Sequence, residues 1–206
     1  MEFEEWEPYY LEILDEFGFD RTGDESAAQV LASLLLTDCL PLLAALCRKK
    51  TVTVCGNAPC LEHDLDRIQG SVFAADAACL VLARAGIRPD AVFTDLDGAT
   101  DDYLALNREG TLMVVHAHGD NIPLLRYWTP RFKGPVLGTT QALPFPPLYN
   151  FGGFSDGDRP AFAAVHLGAD RLLFAGFDLD DQSVGPVKRG KLRWARRLLA
   201  VLGYAC

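Results

Sequence analysis

Residues 51–97, TVTVCGNAPCLEHDLDRIQGSVFAADAACLVLARAGIRPDAVFTDLD, determine the fold of this chain. The apolar or β-branched runs TVTVC, SVFAA and AVFT are the length of buried strands, and polar stretches with room for a helix separate them. This alternation is typical of a parallel sheet whose faces are covered by helices.

The same pattern continues beyond this stretch in both directions. Further strands are predicted at TLMVVH, GPVLG and RLLFAGFD, and helices over residues 61–67, 76–85, 101–108, 120–128, 156–167 and 188–202. Residues 3–17 and 26–47 carry apolar positions at helical spacing, with Asp24 or Ser26 as the cap of the second helix. We therefore predict an α/β fold: a mostly parallel open sheet of about six strands with helices on both faces. An N-terminal helical segment, residues 1–49, is expected to pack on this α/β domain of residues 50–206.

The composition excludes several classes of partner. The 206 residues carry a formal net charge of −9, so no basic field exists to attract nucleic acid or an anionic membrane. The six cysteines form no CxxC pair and read as reduced core thiols. The acidic start MEFEEWEPYY lacks the pattern of a signal peptide, and the apolar runs are too short to span a membrane. We expect a cytoplasmic protein that binds small molecules.

Polar residues follow nearly every predicted strand. They are Gly56, Asn57 and Pro59; Asp76; Asp95 and Asp97; His116, His118, Gly119, Asp120 and Asn121; Thr139, Thr140 and Gln141; and Asp178 and Asp180. Ligands of an open parallel sheet bind outside the carboxyl ends of its strands, so these residues predict one site.

The run Thr94-Asp95-Leu96-Asp97-Gly98 is the most specific of these signals. If Asp95 and Asp97 alternate along a strand, their carboxylates point the same way and suit Mg²⁺, which binds carboxylates together with phosphate oxygens. The alternative is an ordinary acidic turn. Asp76 is either a third metal ligand or the cap of the helix that follows it.

Two histidines, His116 and His118, share one face of a predicted strand. We expect them to hydrogen-bond phosphate or substrate together with Asp120. A transition-metal site is the weaker reading, because no third histidine or cysteine stands at a zinc spacing.

The segment Asn150–Arg159, NFGGFSDGDR, opens a predicted helix. Its glycines allow close backbone approach, and Arg159 can grip a phosphate. Asp156 and Asp158 either bind a metal or cap the helix. Further along, Lys188 and Lys191 bind phosphate or form a solvated basic face.

The motifs GxxxxGK[ST], GxGxxG and HExxH do not occur in the sequence. A Mg²⁺ ion bound by carboxylates is the strongest remaining candidate for the catalytic group. Such ions usually catalyse phosphoryl or nucleotidyl transfer.

Taken in order, the motifs GNAPCLE, TDLDG, VHAHGDN, GTTQ, NFGGFSDGDRPAFAAVHLGA, FAGFDLD and KRGKLRWA resemble the archaeal 6-hydroxymethyl-7,8-dihydropterin pyrophosphokinases of methanopterin and folate-type biosynthesis. The resemblance spans residues 52–200, and the family is similar to the catalytic domain of thiamine pyrophosphokinase. It implies Mg²⁺-dependent transfer of diphosphate from ATP to the pterin hydroxymethyl group, with AMP as the other product.

The resemblance also implies roles for the site residues. Asp95 and Asp97, with Asp76, would hold Mg²⁺, while Asp158 or His118 would accept the hydroxyl proton. The expected ligand-binding residues are Gly56, Asn57, His116, Asp120, Asn121, Thr139, Thr140, Gln141, Asp156, Arg159, Lys188 and Lys191. The aromatic residues Phe145, Tyr149, Phe151 and Phe154 are candidates to stack on the pterin or adenine ring. A homodimer is plausible.

Two alternatives stay open. VFTDLDG resembles the opening motif of haloacid-dehalogenase-type phosphatases, in which Asp95 would be the nucleophile. Against this, the motif lies on the third predicted strand and Ala99 stands where threonine is expected. The other alternative is a non-catalytic nucleotide-binding protein of the same fold.

Overall fold

The computed structural model describes residues 1–204 as α-helices packed around one seven-stranded sheet. The strands are β1 (Thr51–Cys55), β2 (Ser71–Ala75), β3 (Ala91–Thr94), β4 (Leu112–Ala117), β5 (Val136–Thr140), β6 (Leu148–Tyr149) and β7 (Arg171–Ala175). The helices are α1 (Phe3–Phe17), α2 (Arg21–Leu34), α3 (Leu40–Cys47), α4 (Ala78–Arg84), α5 (Asp101–Arg108), α6 (Ile122–Trp128), α7 (Arg159–His166) and α8 (Pro186–Val201). The predicted fold class is confirmed, with one strand more than expected because β6 forms inside the Pro-rich segment of residues 144–150, PFPPLYN.

All the strand pairs are parallel, and the strand order is β6-β5-β4-β3-β2-β1-β7. The chain moves outward from β1 to β6 and then returns to place β7 on the free side of β1. All carboxyl ends therefore lie along one edge of the sheet, which we call the carboxyl edge. The change of direction at β1 and β7 opens a crevice there, the usual ligand position in such sheets.

Two hydrophobic cores sandwich the sheet. The first contains α1, α3, α7 and α8, with Trp6 and Phe162 among its buried side chains. The second contains α2, α4, α5 and α6, with Leu31 and Tyr103. Strands buried on both faces must be apolar at nearly every position, which explains why their runs were legible in the sequence.

The N-terminal helices straddle the sheet. Asp20, four residues earlier than the nearer expected cap, accepts hydrogen bonds from the N–H groups of Thr22 and Gly23 and so begins α2. The helical stretch expected over 26–47 is divided into two helices, because the chain becomes extended at Leu35 and a new helix begins beside Pro41. Since α1 and α2 cover opposite faces, the loop between them crosses the carboxyl edge.

Other predicted elements differ in detail. Residues 61–67 form two 3₁₀ turns, Pro59–His63 and Leu65–Arg67, in place of an α-helix. Within residues 1–204 the cysteines are free thiols, and Cys206 lies outside the described residues. Among the described helices, none combines the length and apolarity needed to cross a membrane.

Candidate active site

Three carboxylates meet at the carboxyl edge. Asp76 follows β2, Asp95 follows β3, and Asp156 lies in the glycine-rich loop before α7. One oxygen of each lies within 4.8 Å of the others. We call Asp76, Asp95 and Asp156 the acidic triad.

Asp76 of the triad combines a strained backbone with a hydrogen-bonded carboxylate. Asp76 and Leu96 adopt positive φ angles of 45° and 73°, which side-chain-bearing residues rarely adopt. The Asp76 carboxylate accepts hydrogen bonds from the hydroxyls of Thr94 at 2.7 Å and Tyr103 at 3.0 Å. A Cβ at Gly98 would lie 2.5 Å from an Asp76 oxygen, so a larger residue there would displace this carboxylate. Strain of this kind is typical of functional sites.

The triad concentrates negative charge. Burial raises the pKa of Asp156 well above its ordinary value, the charge of Asp95 raises it further, and Arg159 only partly offsets both. Burial also acts to raise the pKa of Asp95, but hydrogen bonds from His118 and from the backbone N–H of Asp97 lower it to about 2. Asp95 is therefore a fixed anion beside a carboxyl group that resists ionisation, an arrangement that a bound cation would relieve.

Asp97 lies outside the triad, contrary to the alternation expected for a strand. β3 ends at Thr94, and the left-handed Leu96 turns Asp97 into an exposed position where its N–H donates to Asp95 Oδ1 at 3.0 Å. Although Asp97 is exposed, partial desolvation and then the charge of Asp95 raise its pKa.

Two clefts open on either side of the triad and share Ser155, Asp156 and Lys191. The aromatic cleft, about 720 Å³, is bounded by Phe17, Phe19, Phe154, Asp95, Asp97 and His118. The glycine cleft, about 520 Å³, is bounded by Gly56, Asn57, Gly157, Gly176, Phe177 and Lys188. Both volumes suit a small-molecule ligand.

The glycine cleft lies at the β1–β7 crevice. A Cβ on Gly56 would lie 2.5 Å from the carbonyl oxygen of Gly176, so only glycine permits this approach of the two loops. Asn57 and the exposed Lys188 and Lys191 line the cleft, as their assignment to ligand binding requires.

The two histidines differ in their surroundings. His116 is buried, with Nδ1 3.0 Å from the Thr139 hydroxyl, and burial followed by the charge of Arg159 lowers its pKa well below the ordinary value. His118 lines the aromatic cleft with Nε2 3.5 Å from Asp95 Oδ2, and its side chain also accepts the backbone N–H of Asn121. His116 therefore lies in the protein interior beneath the site, whereas His118 is accessible from the aromatic cleft.

Asp158 does not reach either cleft. It is wholly buried, and its oxygens accept the N–H groups of Phe154 and Ser155 at 2.9 and 2.6 Å. The expectation that Asp158 accepts a substrate proton is therefore wrong, because the carboxylate folds the glycine-rich loop. Arg159 is also nearly buried, and it donates to Asp156 at 3.0 Å and to the Phe154 carbonyl at 2.6 Å.

Several residues that were expected to bind ligand are buried, and Asn121 hydrogen-bonds to other parts of the protein. Asn121 is fully buried and donates to the carbonyls of Asp95 and His116 at 2.8 and 2.7 Å, so it joins the ends of β3 and β4. Thr139 and Thr140 are buried away from both clefts, while Gln141 and the exposed Asp120 line the aromatic cleft.

Sequence reasoning missed the contribution of the N-terminal segment. Phe17, Phe19 and Asp20 reach the aromatic cleft, whereas Phe154 is the one member of the expected aromatic wall that lines either cleft in residues 1–204. Phe151 is buried in the core against Tyr149. The pair of phenylalanines flanking Gly18 beside a helix cap was the available signal.

Comparison with known proteins identifies the family to which the chain is related. Residues 27–183 match the model described as "6-hydroxymethylpterin diphosphokinase MptE-like". A 6-hydroxymethyl-7,8-dihydropterin pyrophosphokinase from Methanothermobacter thermautotrophicus is 40% identical over 219 residues, covering 97% of this chain and 94% of the relative. Proteins of the same description from Pyrococcus furiosus and Methanocaldococcus jannaschii are 39% and 31% identical, covering 97% and 98% of this chain and 93% and 96% of theirs.

Among solved structures, the MAf glycosyltransferase of Magnetospirillum magneticum matches with a TM-score of 0.46 and 16% identity, covering 78% of this chain and 29% of that one. That likeness is too slight to inform the site. The family match and the near full-length relatives agree with each other. This chain therefore belongs to the MptE-like 6-hydroxymethylpterin diphosphokinase family.

Proposed function

We propose that the chain transfers diphosphate from ATP to the hydroxymethyl group of 6-hydroxymethyl-7,8-dihydropterin, with Mg²⁺ bound at the acidic triad. One observation supports this most strongly: the triad lies where two clefts of ligand size meet. A reaction that joins two substrates through a polyphosphate needs this arrangement, with one substrate on each side of the metal.

The triad fits a hard divalent cation. It supplies three carboxylates, the donors that Mg²⁺ takes from proteins. Burial and then the charge of Asp95 raise the pKa of Asp156, and a bound cation would offset both effects. Bound there, Mg²⁺ would neutralise charge that develops on the phosphate oxygens during transfer. His118 positions Asp95 through its Nε2, and Arg159 positions Asp156.

The glycine cleft is assigned to ATP. It lies at the crevice where the strand order reverses, and its backbone is open because Gly56 and Gly176 lack side chains. Lys188 and Lys191 supply positive charge for phosphates at the start of α8. Phe177 offers an apolar surface for the base.

The reaction forms one bond and breaks one. The hydroxymethyl oxygen attacks the β-phosphorus of ATP, the bond from that phosphorus to the α,β-bridging oxygen breaks, and AMP leaves with this oxygen. We propose that Asp97 accepts the proton of the hydroxymethyl group. Asp97 lines the aromatic cleft next to Asp95 and lies outside the triad. Proton transfer contributes modestly here, since positioning and charge neutralisation dominate phosphoryl transfer.

The test is to incubate the protein with ATP and the reduced pterin across a Mg²⁺ titration and to separate AMP from ADP. We expect AMP and the pterin diphosphate in equal amounts, abolished by EDTA and reduced at least about 100-fold in Asp95→Asn. Release of inorganic phosphate without a modified pterin would instead support a phosphatase that uses Asp95. ATP binding without any product would support a non-catalytic protein.

A further inference from the structure

We propose that the loop between α1 and α2 is the acceptor-binding wall, with Phe19 stacking on the acceptor's planar ring in the aromatic cleft. This inference rests on the proposed function and extends it, because it assigns the second substrate to a cleft and to a segment of chain. Phe17, at the end of α1, and the loop residues Gly18, Phe19 and Asp20 line the cleft, and none of these four lies in the range 27–183 that matches the family model.

The loop presents an aromatic surface. The rings of Phe17 and Phe19 stack with centroids 5.4 Å apart and planes 15° apart. Phe154, from the glycine-rich loop, lies 5.2 Å from Phe17 and 6.4 Å from Phe19. Phe19 is only partly buried, so a ligand in the cleft can reach it. Grouped rings at a cleft wall are suited to a flat conjugated ligand.

The aromatic cleft carries a larger excess of carboxylates than the glycine cleft, where Asp76, Asp156, Asp178 and Asp181 lie beside Lys188 and Lys191. In the aromatic cleft the carboxylates outnumber the cations: Asp20, Asp24, Asp95, Asp97, Asp120 and Asp156 line it beside Arg159 and Lys191. Arg159 is already paired with Asp156. This larger excess disfavours a polyphosphate in the aromatic cleft, whereas the exposed carboxylates there can accept hydrogen bonds from the amino and ring N–H groups of a neutral heterocycle.

A buried anchor fixes the loop over the cleft. Asp24 accepts hydrogen bonds from Tyr10 Oη and Gln141 Nε2, both at 2.7 Å, and from the Gly119 N–H at 2.9 Å. These bonds tie the start of α2 to α1 and to the loops after β4 and β5. The wall is therefore held in a set position before any ligand arrives, which lowers the cost of ordering it on binding.

The test compares Phe19→Ala with Phe19→Tyr, which restores an aromatic ring, in steady-state assays that vary each substrate separately. We expect Phe19→Ala to raise the KM for the pterin at least tenfold and to leave the KM for ATP within twofold, with Phe19→Tyr near wild type. Tyr127→Ala removes an exposed aromatic ring outside both clefts and is the matched control. Lys188→Ala should show the reverse pattern, a raised KM for ATP alone. Melting curves must match, to show that each variant is folded.

An unchanged pterin KM in Phe19→Ala, or an equal rise for both substrates, would overturn the inference. If the wild type forms no product, the proposed function fails. The inference is then tested by measuring pterin binding through the pterin's fluorescence, in the presence of Mg²⁺ and the ATP analogue α,β-methylene ATP. Binding by the wild type that Phe19→Ala weakens at least tenfold would then still support the wall. Absence of pterin binding by the wild type would overturn both.

Discussion

At the scale of single residues, Asp156 supplies the third carboxylate of the triad and, when ionised, lowers the free energy of unfolding. Its carboxylate is half-buried and faces Asp95, and desolvation together with the charge of Asp95 raises its pKa. We expect Asp156→Asn to raise the melting temperature in EDTA by about 2–4 °C, the shift that about 1 kcal/mol produces in a protein of this size. The same variant should lose turnover by at least about 100-fold and lose any stabilisation by Mg²⁺.

Differential scanning calorimetry with EDTA and with Mg²⁺ checks the effect of Asp156→Asn. Asp66→Asn is the control, because Asp66 is an exposed aspartate outside both clefts. A lower melting temperature in EDTA for Asp156→Asn, with Mg²⁺ stabilisation retained, would remove Asp156 from the metal site.

His116 predicts a pH dependence of stability. Burial and the charge of Arg159 hold its folded pKa well below 6.5, while the unfolded chain titrates near 6.5. Below that pH the unfolded state binds a proton that the folded state does not, so the free energy of unfolding falls as pH falls, by up to about 1.4 kcal/mol per pH unit. His116→Gln should show a shallower fall between pH 7 and pH 5 in urea titrations. The exposed His63→Gln should keep the wild-type slope, and equal slopes in both variants would contradict the assignment.

At the scale of elements, two buried asparagines join strands at opposite edges of the sheet. Asn121 donates to the carbonyls of Asp95 and His116 at the carboxyl edge. Asn107 donates to the carbonyls of Thr111 and Pro135 at the other edge, 3.2 and 2.9 Å away. Each side chain also accepts one backbone N–H. Removing either side chain therefore leaves buried backbone groups without hydrogen-bond partners.

We expect Asn107→Ala and Asn121→Ala to lose similar stability, about 2–4 kcal/mol, because each leaves several buried groups unpaired. Only Asn121→Ala should also lower kcat, since Asn121 positions the loops that carry Asp95 and His118. Urea unfolding and kcat measured at a temperature where both variants are folded provide the comparison. Equal kcat in the two variants would show that Asn121 is purely structural.

The elements that sequence reasoning placed well are those with a strong local signal. β1 to β5 are buried on both faces, so their apolar runs stood out with nearly correct bounds. β7 is a partly exposed edge strand, but its run RLLFA is apolar enough to have been placed as well. The break between α2 and α3 was missed because apolar spacing continues through it, whereas the extended Leu35 ends the helix.

The site was predictable in location and less so in membership. Asp76 and Asp95 follow strands and were found on that basis, but the left-handed Leu96 that turns Asp97 aside has no signature in a TDLDG run. Asp158 matched the composition of a catalytic loop, yet three-dimensional folding buries it. Phe19 is distant in sequence from the triad, and only the crossing of α1 to α2 over the carboxyl edge brings it near.

At the scale of the whole molecule, one sheet edge brings together contributions from both ends of the chain. α1 and α2 supply the aromatic cleft, α8 supplies the lysines of the glycine cleft, and the strands between them carry the triad. A truncation that removes residues 1–20 should therefore abolish pterin binding and also expose the first core, in which Trp6 and Tyr10 are buried. Point variants are for this reason the sharper tools.

The central claim is that diphosphate passes as one unit from ATP to the pterin at the junction of the two clefts. The most direct measurement uses ATP labelled at both the β- and γ-phosphorus, with Mg²⁺ and the reduced hydroxymethyl pterin. We predict that both labels appear in the pterin product in a 1:1 ratio while AMP is unlabelled. A β-label retained in ADP, with only the γ-label on the pterin, would contradict the account.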